Sequence, residues 1–339
     1  MRLDNIGDVI MTSPALRAIK ETLPNARLTL MASPGGTLAA SLLPWIDEVL
    51  TWRVLWQDLG RLEFDPAREW GLIDALRQRK FDAAIVLTSF SQSPHPPGLI
   101  ACLAGIPIRV GESKETGGGI LTHEIAAAPD EIHQVDRNLR LIESVGFRVR
   151  DRSLGIRVDA IAASAVQHRL NQHGLIQNAP FIVLNPWTSC QSRNYDSERF
   201  AIAARHLSDL TGYKIIVTGV EKDRERSGVV MDILNQSAID LIGQTSLPEL
   251  AALIANARLL LSNNTSTMHI ADATRTPSVI LFAGTELECQ WQPRHCPVQL
   301  LRQPTACSPC YAFSCPYSLE CLDIDPQQIV EAGLRLLQV

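Results

Sequence analysis

Short apolar runs alternate with stretches whose apolar positions recur at helical spacing, and this rhythm passes along the chain twice. In the first half, strand patterns fall at residues 27–32, 48–52, 83–88 and 108–110, and helical patterns at 14–22, 67–79, 97–104 and 135–145. Apolar runs of this length suit the strands of a parallel sheet covered on both faces. The rhythm restarts after residue 155, with strands at 181–184, 214–218, 240–242, 258–261 and 278–282 and helices at 197–210, 223–235, 247–255 and 266–274. The alternation predicts two doubly wound α/β units, 1–155 and 156–339, hinged near residues 153–158. A last helical stretch at 326–337 is expected to return to the first unit.

The opening segment, residues 2–16, reads as a strand end, a tight turn containing Gly7, and then a helix. Ser13 suits the N-cap and Pro14 the first helical position. Asp8 is then expected in a loop beyond the carboxyl end of a strand, the edge that faces ligands in open α/β sheets. Its carboxylate reads two ways: as an acid capping nearby N–H groups, or as a catalytic base. Only Met1, Arg2 and Leu3 precede Asp4, whereas a central strand usually has about five or six residues. Two expectations follow: either a start further upstream, or a first unit that lacks most of a central strand. In the second case the neighbouring strands lose ladder hydrogen bonds and the Asp8 segment is held less firmly.

Three strand ends in the second half lead into polar loops. After 181–184 come Thr188, Ser189 and Arg193, and a guanidinium fork with hydroxyls suits phosphate oxygens; a solvated loop is the alternative. After 258–261, Asn264, Thr265 and Ser266 precede a helix whose free N–H groups and dipole attract a diphosphate without metal. Simple capping of that helix is the alternative. Met268 and His269 lie on its first turns, and His269 reads either as a phosphate donor or as a packed core histidine. After 214–218, Gly219 permits close approach, and Glu221 and Asp223 suit ribose hydroxyls or a helix's first turn. The loops at 89–97 and 112–119 are candidates for acceptor contacts, with Gly117, Gly118 and Gly119 forming a lid or a plain connection.

Charge and composition narrow the classes. A net charge of −5 with 46% hydrophobic residues argues against nucleic acid as a bulk partner. No apolar run reaches the roughly 18–20 residues of a membrane span, and the first residues lack a signal-peptide pattern. A cytoplasmic protein is expected. There is no G-x-x-x-x-G-K and no G-x-G-x-x-G after a strand, nor a G-x-S-x-G. Four of the eight cysteines cluster as Cys307, Cys310, Cys315 and Cys321. Their compact spacing admits structural zinc, reduced thiols or a redox-labile pair.

Taken together, these stretches resemble glycosyltransferase family 9, the ADP-heptose heptosyltransferases. The likeness rests on Arg2-x-Asp4-x-Ile6-Gly7-Asp8-Val9, on Asn185-Pro186 through Arg193, on Ser262 through Ala271, on His133-x-Val135-Asp136-Arg137, and on the ending from Cys307 to Pro326. It implies a GT-B fold, two Rossmann-like domains facing a central cleft. The first would hold a glycan or glycolipid acceptor, with Asn5 and Gly7 on that side, and the second a nucleotide sugar. It implies inversion at the anomeric carbon with no metal and no cofactor beyond the ADP-sugar substrate. Asp8 takes the role of general base. Donor contacts fall on Thr188, Ser189, Arg193, Asp223, Asn264, Thr265, Ser266, Met268 and His269. Two positions depart from the family pattern, Asn264 for its Asp and Ser266 for its Gly, which changes how sugar or ribose is held. The implied setting is lipopolysaccharide synthesis, with peripheral contact at the inner face of the plasma membrane. A nucleotide-sugar-binding protein without catalysis, and a zinc-bearing interaction module, are the alternatives.

Overall fold

A computed structural model describes residues 1–58, 61–115 and 118–338. The expected loop positions Thr116 and Gly117 and the terminal Val339 lie outside the described residues. The chain divides into two compact units, Met1–Gly155 and Ile156–Val339.

The first unit runs α1 (Ile6–Ile10), α2 (Ser13–Thr22), β1 (Thr29–Ala32), β2 (Glu48–Thr51), α3 (Pro66–Arg79), β3 (Ala83–Val86), α4 (His95–Leu103), β4 (Ile108–Ser113), β5 (His123–Ala126) and α5 (Gln134–Glu143). Its strands are all parallel but form two pieces, β1-β2 and β3-β4-β5. Residues 1–3 span the gap. Arg2 N donates to Met31 O at 3.0 Å on one side, and Leu87 N donates to Met1 O at 3.0 Å on the other. With these residues in the first-strand slot, the order is the 3-2-1-4-5-6 of a Rossmann unit. The two pieces of the sheet are thus joined at its middle by hydrogen bonds of residues 1–2.

The second unit runs α6 (Ala160–Gln172), β6 (Phe181–Asn185), α7 (Ser197–Thr211), β7 (Lys214–Val217), α8 (Gly228–Leu234), β8 (Ala238–Asp240), α9 (Leu247–Asn256), β9 (Leu259–Asn263), α10 (Ser266–Thr274), β10 (Ser278–Leu281), α11 (Glu288–Trp291), β11 (Val298–Leu301) and α12 (Pro326–Leu337). One six-stranded parallel sheet has the order β11-β10-β9-β6-β7-β8, again 3-2-1-4-5-6 counted from β6. Strands β6, β9 and β10 are buried at every position, as a sheet covered on both faces requires.

Several expectations need correction. The segment containing Asp8 is not a loop: Ile6–Ile10 forms a short helix, with Asp8 in its first turn. Ser13 is not the N-cap of α2; Thr12 holds that place, and its hydroxyl donates to Val9 O at 2.7 Å. The helix expected over 223–235 is a 3-10 turn, Glu221–Arg226, followed by α8, because Asp223 folds back to accept from Val220 N at 2.9 Å. The strand expected at 240–242 ends at Asp240 instead. β5, α6 and β11 were absent from the sequence pattern. Finally, α12 buries Ile329, Val330 and Ala332 in the core beneath α7. A Cβ on Gly333 would stand 3.0 Å from the Leu207 methyls.

Candidate active site

In open α/β sheets, ligands bind beyond the carboxyl ends of the strands where the order reverses. In the second unit that point lies between β6 and β9, and two of the three loops expected to hold donor start there. Asn263, the last residue of β9, ties them together. Its Nδ2 donates to Pro186 O at 2.8 Å and its Oδ1 accepts from Tyr195 N at 3.1 Å. Asn185, at the end of β6, donates to Thr218 Oγ1 at 3.0 Å and so fixes the loop after β7.

The loop after β6 is shaped by its own side chains. Thr188 N donates to Asn194 Oδ1 at 2.6 Å, and Thr188 Oγ1 donates to Cys190 O at 2.7 Å. Ser189 is exposed. Arg193 reaches across to the loop after β10, 3.2 Å from Thr285 Oγ1 and 2.5 Å from Glu286 Oε1. Its guanidinium is thus already paired with an acid.

The start of α10 supplies the other half. Thr265 is its N-cap, yet no side chain there caps the helix, so first-turn N–H groups are left for a partner. Ser266 is half-buried, Thr267 Oγ1 bonds Ser262 Oγ at 2.7 Å, and Met268 is buried. His269 is buried near Asp272, whose Oδ1 accepts from the N–H groups of Arg294, His295 and Cys296 at 2.6–3.1 Å. Burial pushes the Asp272 carboxyl up, against the pull of those N–H groups and of His269. Asn264 is 2% exposed; its Oδ1 accepts from Ala283 N at 3.1 Å, while its buried Nδ2 has no partner.

Asp223 is also buried, with both oxygens engaged: Oδ2 by Val220 N and Oδ1 by Arg226 at 2.6 Å. Arg226 stacks on Trp187, 5.5 Å from the ring centre. Gly219 lies between them, and a Cβ there would stand 3.0 Å from both Trp187 and Asp223 Oδ2. This packing turns Asp223 toward its own turn.

The cysteine-rich loop buttresses these elements. Cys310 N donates to Gly284 O at 3.1 Å, Tyr311 N to Thr285 O at 2.9 Å, and Ser192 N to Phe313 O at 3.1 Å. All four thiols are free. Burial pushes the Cys321 thiol up, and Cys315, Cys307 and Cys310 add to the shift. Among the described residues, no three His, Cys, Asp or Glu side chains stand where they could hold a metal ion.

At the corresponding point of the first unit lies an ion cluster. Arg2 is fully buried, with Nε 3.0 Å from Asp4 Oδ2 and Nη2 2.9 Å from Asp8 Oδ1. Asp8 Oδ2 accepts from Asn5 N at 3.2 Å, so the capping reading of Asp8 holds structurally. Its side chain remains 21% exposed. Asn5 is exposed and Gly7 buried. Gly36 packs against the turn, where a Cβ would come within 2.5 Å of Asp4 O. A pocket of about 200 Å³ opens beside Asp4, lined among others by Trp56, Gln57, Thr88, Gln92 and Pro97.

Sequence reasoning assigned no role to Arg2, Gln57 or Glu286, and reached Gln92 only as part of a loop that is a candidate for acceptor contacts. Arg2 carried a signal: a cation in an apolar strand slot, two residues before an acid. The others meet the site only through tertiary contacts.

Two Rossmann-like units in tandem, one with an uncapped helix start at its switch point and the other with an accessible acid at its own, define a glycosyltransferase of the GT-B class. The chain belongs to glycosyltransferase family 9 (heptosyltransferase), whose sequence model matches residues 70–319. It is 25% identical over 288 residues to lipopolysaccharide heptosyltransferase 2 of Escherichia coli K12, covering 82% of this chain and 80% of the relative. It is 24% identical over 344 residues to lipooligosaccharide heptosyltransferase 2 of Campylobacter jejuni serotype O:6, covering 98% and 96%. Among solved structures, the glycosyl transferase family 9 protein of Veillonella parvula superposes with a TM-score of 0.78 at 21% identity, covering 99% and 95%. The E. coli ADP-heptose lps heptosyltransferase II gives 0.76 at 23%, covering 99% and 97%. At these identities the superpositions speak for the fold.

Proposed function

We propose that this enzyme moves a heptose from a nucleotide-diphosphate donor, ADP-heptose or a close relative, to a hydroxyl of a lipopolysaccharide core, with inversion and without a metal. The observation that carries the reading is the uncapped start of α10 with the unpartnered Asn264 amide beside it, next to the loop bearing Arg193. Such a group of donors suits the departing diphosphate, which other enzymes neutralise with Mg²⁺.

In this mechanism Asp8 takes the proton of the acceptor hydroxyl. The hydroxyl oxygen attacks the anomeric carbon as the bond to the diphosphate oxygen breaks, through an oxocarbenium-like state. Arg193 and the helix-start N–H groups hold the negative charge that develops on the leaving group. Thr188, Ser189, Thr265, Ser266, Met268 and His269 line the donor side, Asn5 and Gly7 flank the acceptor, and a ribose contact by Asp223 requires it to exchange its Val220 or Arg226 partner for a hydroxyl. The lipid-linked acceptor places the reaction at the cytoplasmic face of the inner membrane. Among the described residues, no helix is long and apolar enough to cross a membrane.

A second reading, a nucleotide-sugar-binding protein without catalysis, draws on the fact that both Asp8 oxygens already have partners. One assay separates the two: ADP release from ADP-heptose, with and without lipopolysaccharide acceptor, in EDTA. Acceptor-dependent release in EDTA supports metal-free transfer. Tight donor binding by calorimetry with no release supports the binding protein. Release only after Mg²⁺ is added overturns the metal-free mechanism.

A further inference from the structure

One cation in the first unit serves two acids. Arg2, buried completely, ion-pairs with Asp4, its Nε 3.0 Å from Oδ2 but out of hydrogen-bond alignment, hydrogen-bonds Asp8 through Nη2, and donates from Nη1 to Leu87 O at 3.3 Å. Asp4 Oδ1 takes two further bonds, from Gln57 at 3.0 Å and Gln92 at 2.5 Å. Each group bonded to the Asp4 oxygens is therefore a donor, which is the setting of an ionised carboxylate. Asp8 is the more exposed of the pair, 21% against 15%.

We propose that Asp4 is a positioning residue that sets how basic Asp8 is, by sharing Arg2 with it. The inference rests on Asp8 being the base. A guanidinium paired with one carboxylate alone would hold that carboxylate as a poor proton acceptor. A second carboxylate on the same guanidinium leaves the cluster with a net negative charge, so a proton arriving at Asp8 is better received.

The electrostatics of Asp4 agree. Burial pushes its carboxyl up, Arg2 pulls it down, and Asp8 pushes it up again. Arg2 is held above its ordinary value by the two carboxylates, in spite of its burial. From the neighbouring elements Gln57 and Gln92, both neutral, face Asp4, and Ser33 donates to the Asp4 carbonyl at 2.6 Å. The Met1 amine lies on the Arg2 side, donating to Ile85 O at 2.7 Å. Gln92 is itself pinned, its Oε1 accepting from Ser89 N at 2.9 Å, so Asp4 is clamped from the loop after β3 as well as from Arg2.

The test is the pH profile of kcat/KM for Asp4→Asn and Asp4→Glu. Asn keeps the shape and its oxygen can still accept from both glutamines, but it removes the charge and turns an N–H₂ toward Arg2 Nε in place of the ion-paired oxygen. Its acid limb moves to lower pH by about half a unit to one unit, the size of a partly screened like-charge interaction, with a lower plateau. Asp4→Glu, which keeps the charge, leaves the limb within about 0.2 units of its original place. Asp4→Ser serves where Asp4→Asn does not fold. A limb that stays in place or moves upward in the neutral variant overturns the proposal. Asp8→Asn distinguishes this failure from that of the underlying reading: full activity in Asp8→Asn removes the base assignment itself, whereas an inactive Asp8→Asn with an unmoved Asp4→Asn profile removes only the role of Asp4.

Discussion

The Ala283 N–H holds Asn264 Oδ1 at 3.1 Å, and this fixes the amide so that its buried Nδ2 faces no protein acceptor. A buried, unsatisfied donor costs about 1–3 kcal/mol, and such groups in native proteins generally await a ligand or water. Because a backbone amide sets the orientation, the side chain cannot simply flip to hide its N–H₂. A donor oxygen at this point recovers the cost. Asn264→Ala is therefore expected to weaken nucleotide-sugar binding roughly 10- to 100-fold, since a hydrogen bond to a charged oxygen contributes about 1.5–3 kcal/mol. Its melting temperature without ligand should change little. Calorimetry with ADP, ADP-heptose and inorganic pyrophosphate locates the oxygen: a loss seen only with the sugar nucleotide assigns it to the sugar, and a loss with all three to the diphosphate. Unchanged affinity for every probe would falsify a ligand role for this amide.

Arg193 stands 2.5 Å from Glu286 in the free protein. A diphosphate entering the site has to share or displace that acid. Glu286→Gln should bind ADP about 3- to 10-fold more tightly, the effect of removing one partly solvated negative charge. Arg193→Ala should lower the rate of ADP release about 10²- to 10³-fold, the usual loss when a group stabilising a departing anion is deleted. Single-turnover assays check the second expectation and calorimetry the first. An Arg193→Ala enzyme with normal turnover would remove the guanidinium from the leaving-group site.

Asp8→Asn removes the proposed base while keeping the side chain's shape and one of its two acceptor bonds, to Arg2 or to Asn5. Transfer to acceptor should fall about 10²- to 10⁴-fold. ADP affinity should stay within twofold, because the donor contacts belong to the second unit. A parallel drop in ADP affinity would instead place Asp8 among the donor contacts. Breaking a buried ion pair can cost about 3–5 kcal/mol, so the melting curve must be recorded beside the rate.

The doubly wound architecture was legible because strands such as Phe181–Asn185 and Leu259–Asn263 are buried on both faces and so read as unbroken apolar runs. The edge strand β5 hid for the opposite reason: it spells His123-Glu124-Ile125-Ala126, polar at half its positions. α6 was missed because alanines dominate it and Ile161 points to solvent, 80% exposed; its N-cap, Asp159, accepting from Ala162 N at 2.9 Å, was the available signal. α1 spans five residues and includes Gly7, too short for any periodicity to show. The second-unit loops could be located from strand ends alone, as switch-point chemistry follows the topology. What Asp8, Arg193 and Asp223 bond to could not, since Arg2, Glu286 and Arg226 are chosen by tertiary placement or by the local fold of a 3-10 turn.

Tyr195 provides an alkaline test of how the donor loop is anchored. Its backbone N–H holds Asn263, and its hydroxyl donates to Ile324 O at 2.6 Å, just before α12. Burial pushes the phenol up from 10.0 to about 12. A group that binds its proton more tightly when folded contributes stability that is complete below its unfolded value and fades as pH rises through its folded one. Stability should therefore decline between about pH 10 and 12, as the phenolate loses its donor hydrogen bond in a buried site. Cys296, also raised to about 12 by burial, adds to the same decline. Tyr195→Phe should be less stable at neutral pH by about 1 kcal/mol, the net worth of one hydrogen bond. Across pH 10–12 its melting temperature should fall less steeply than that of the wild type. Thermal melts in a matched buffer series measure both effects, and equal slopes for the two proteins would show that Tyr195 keeps its proton throughout that range.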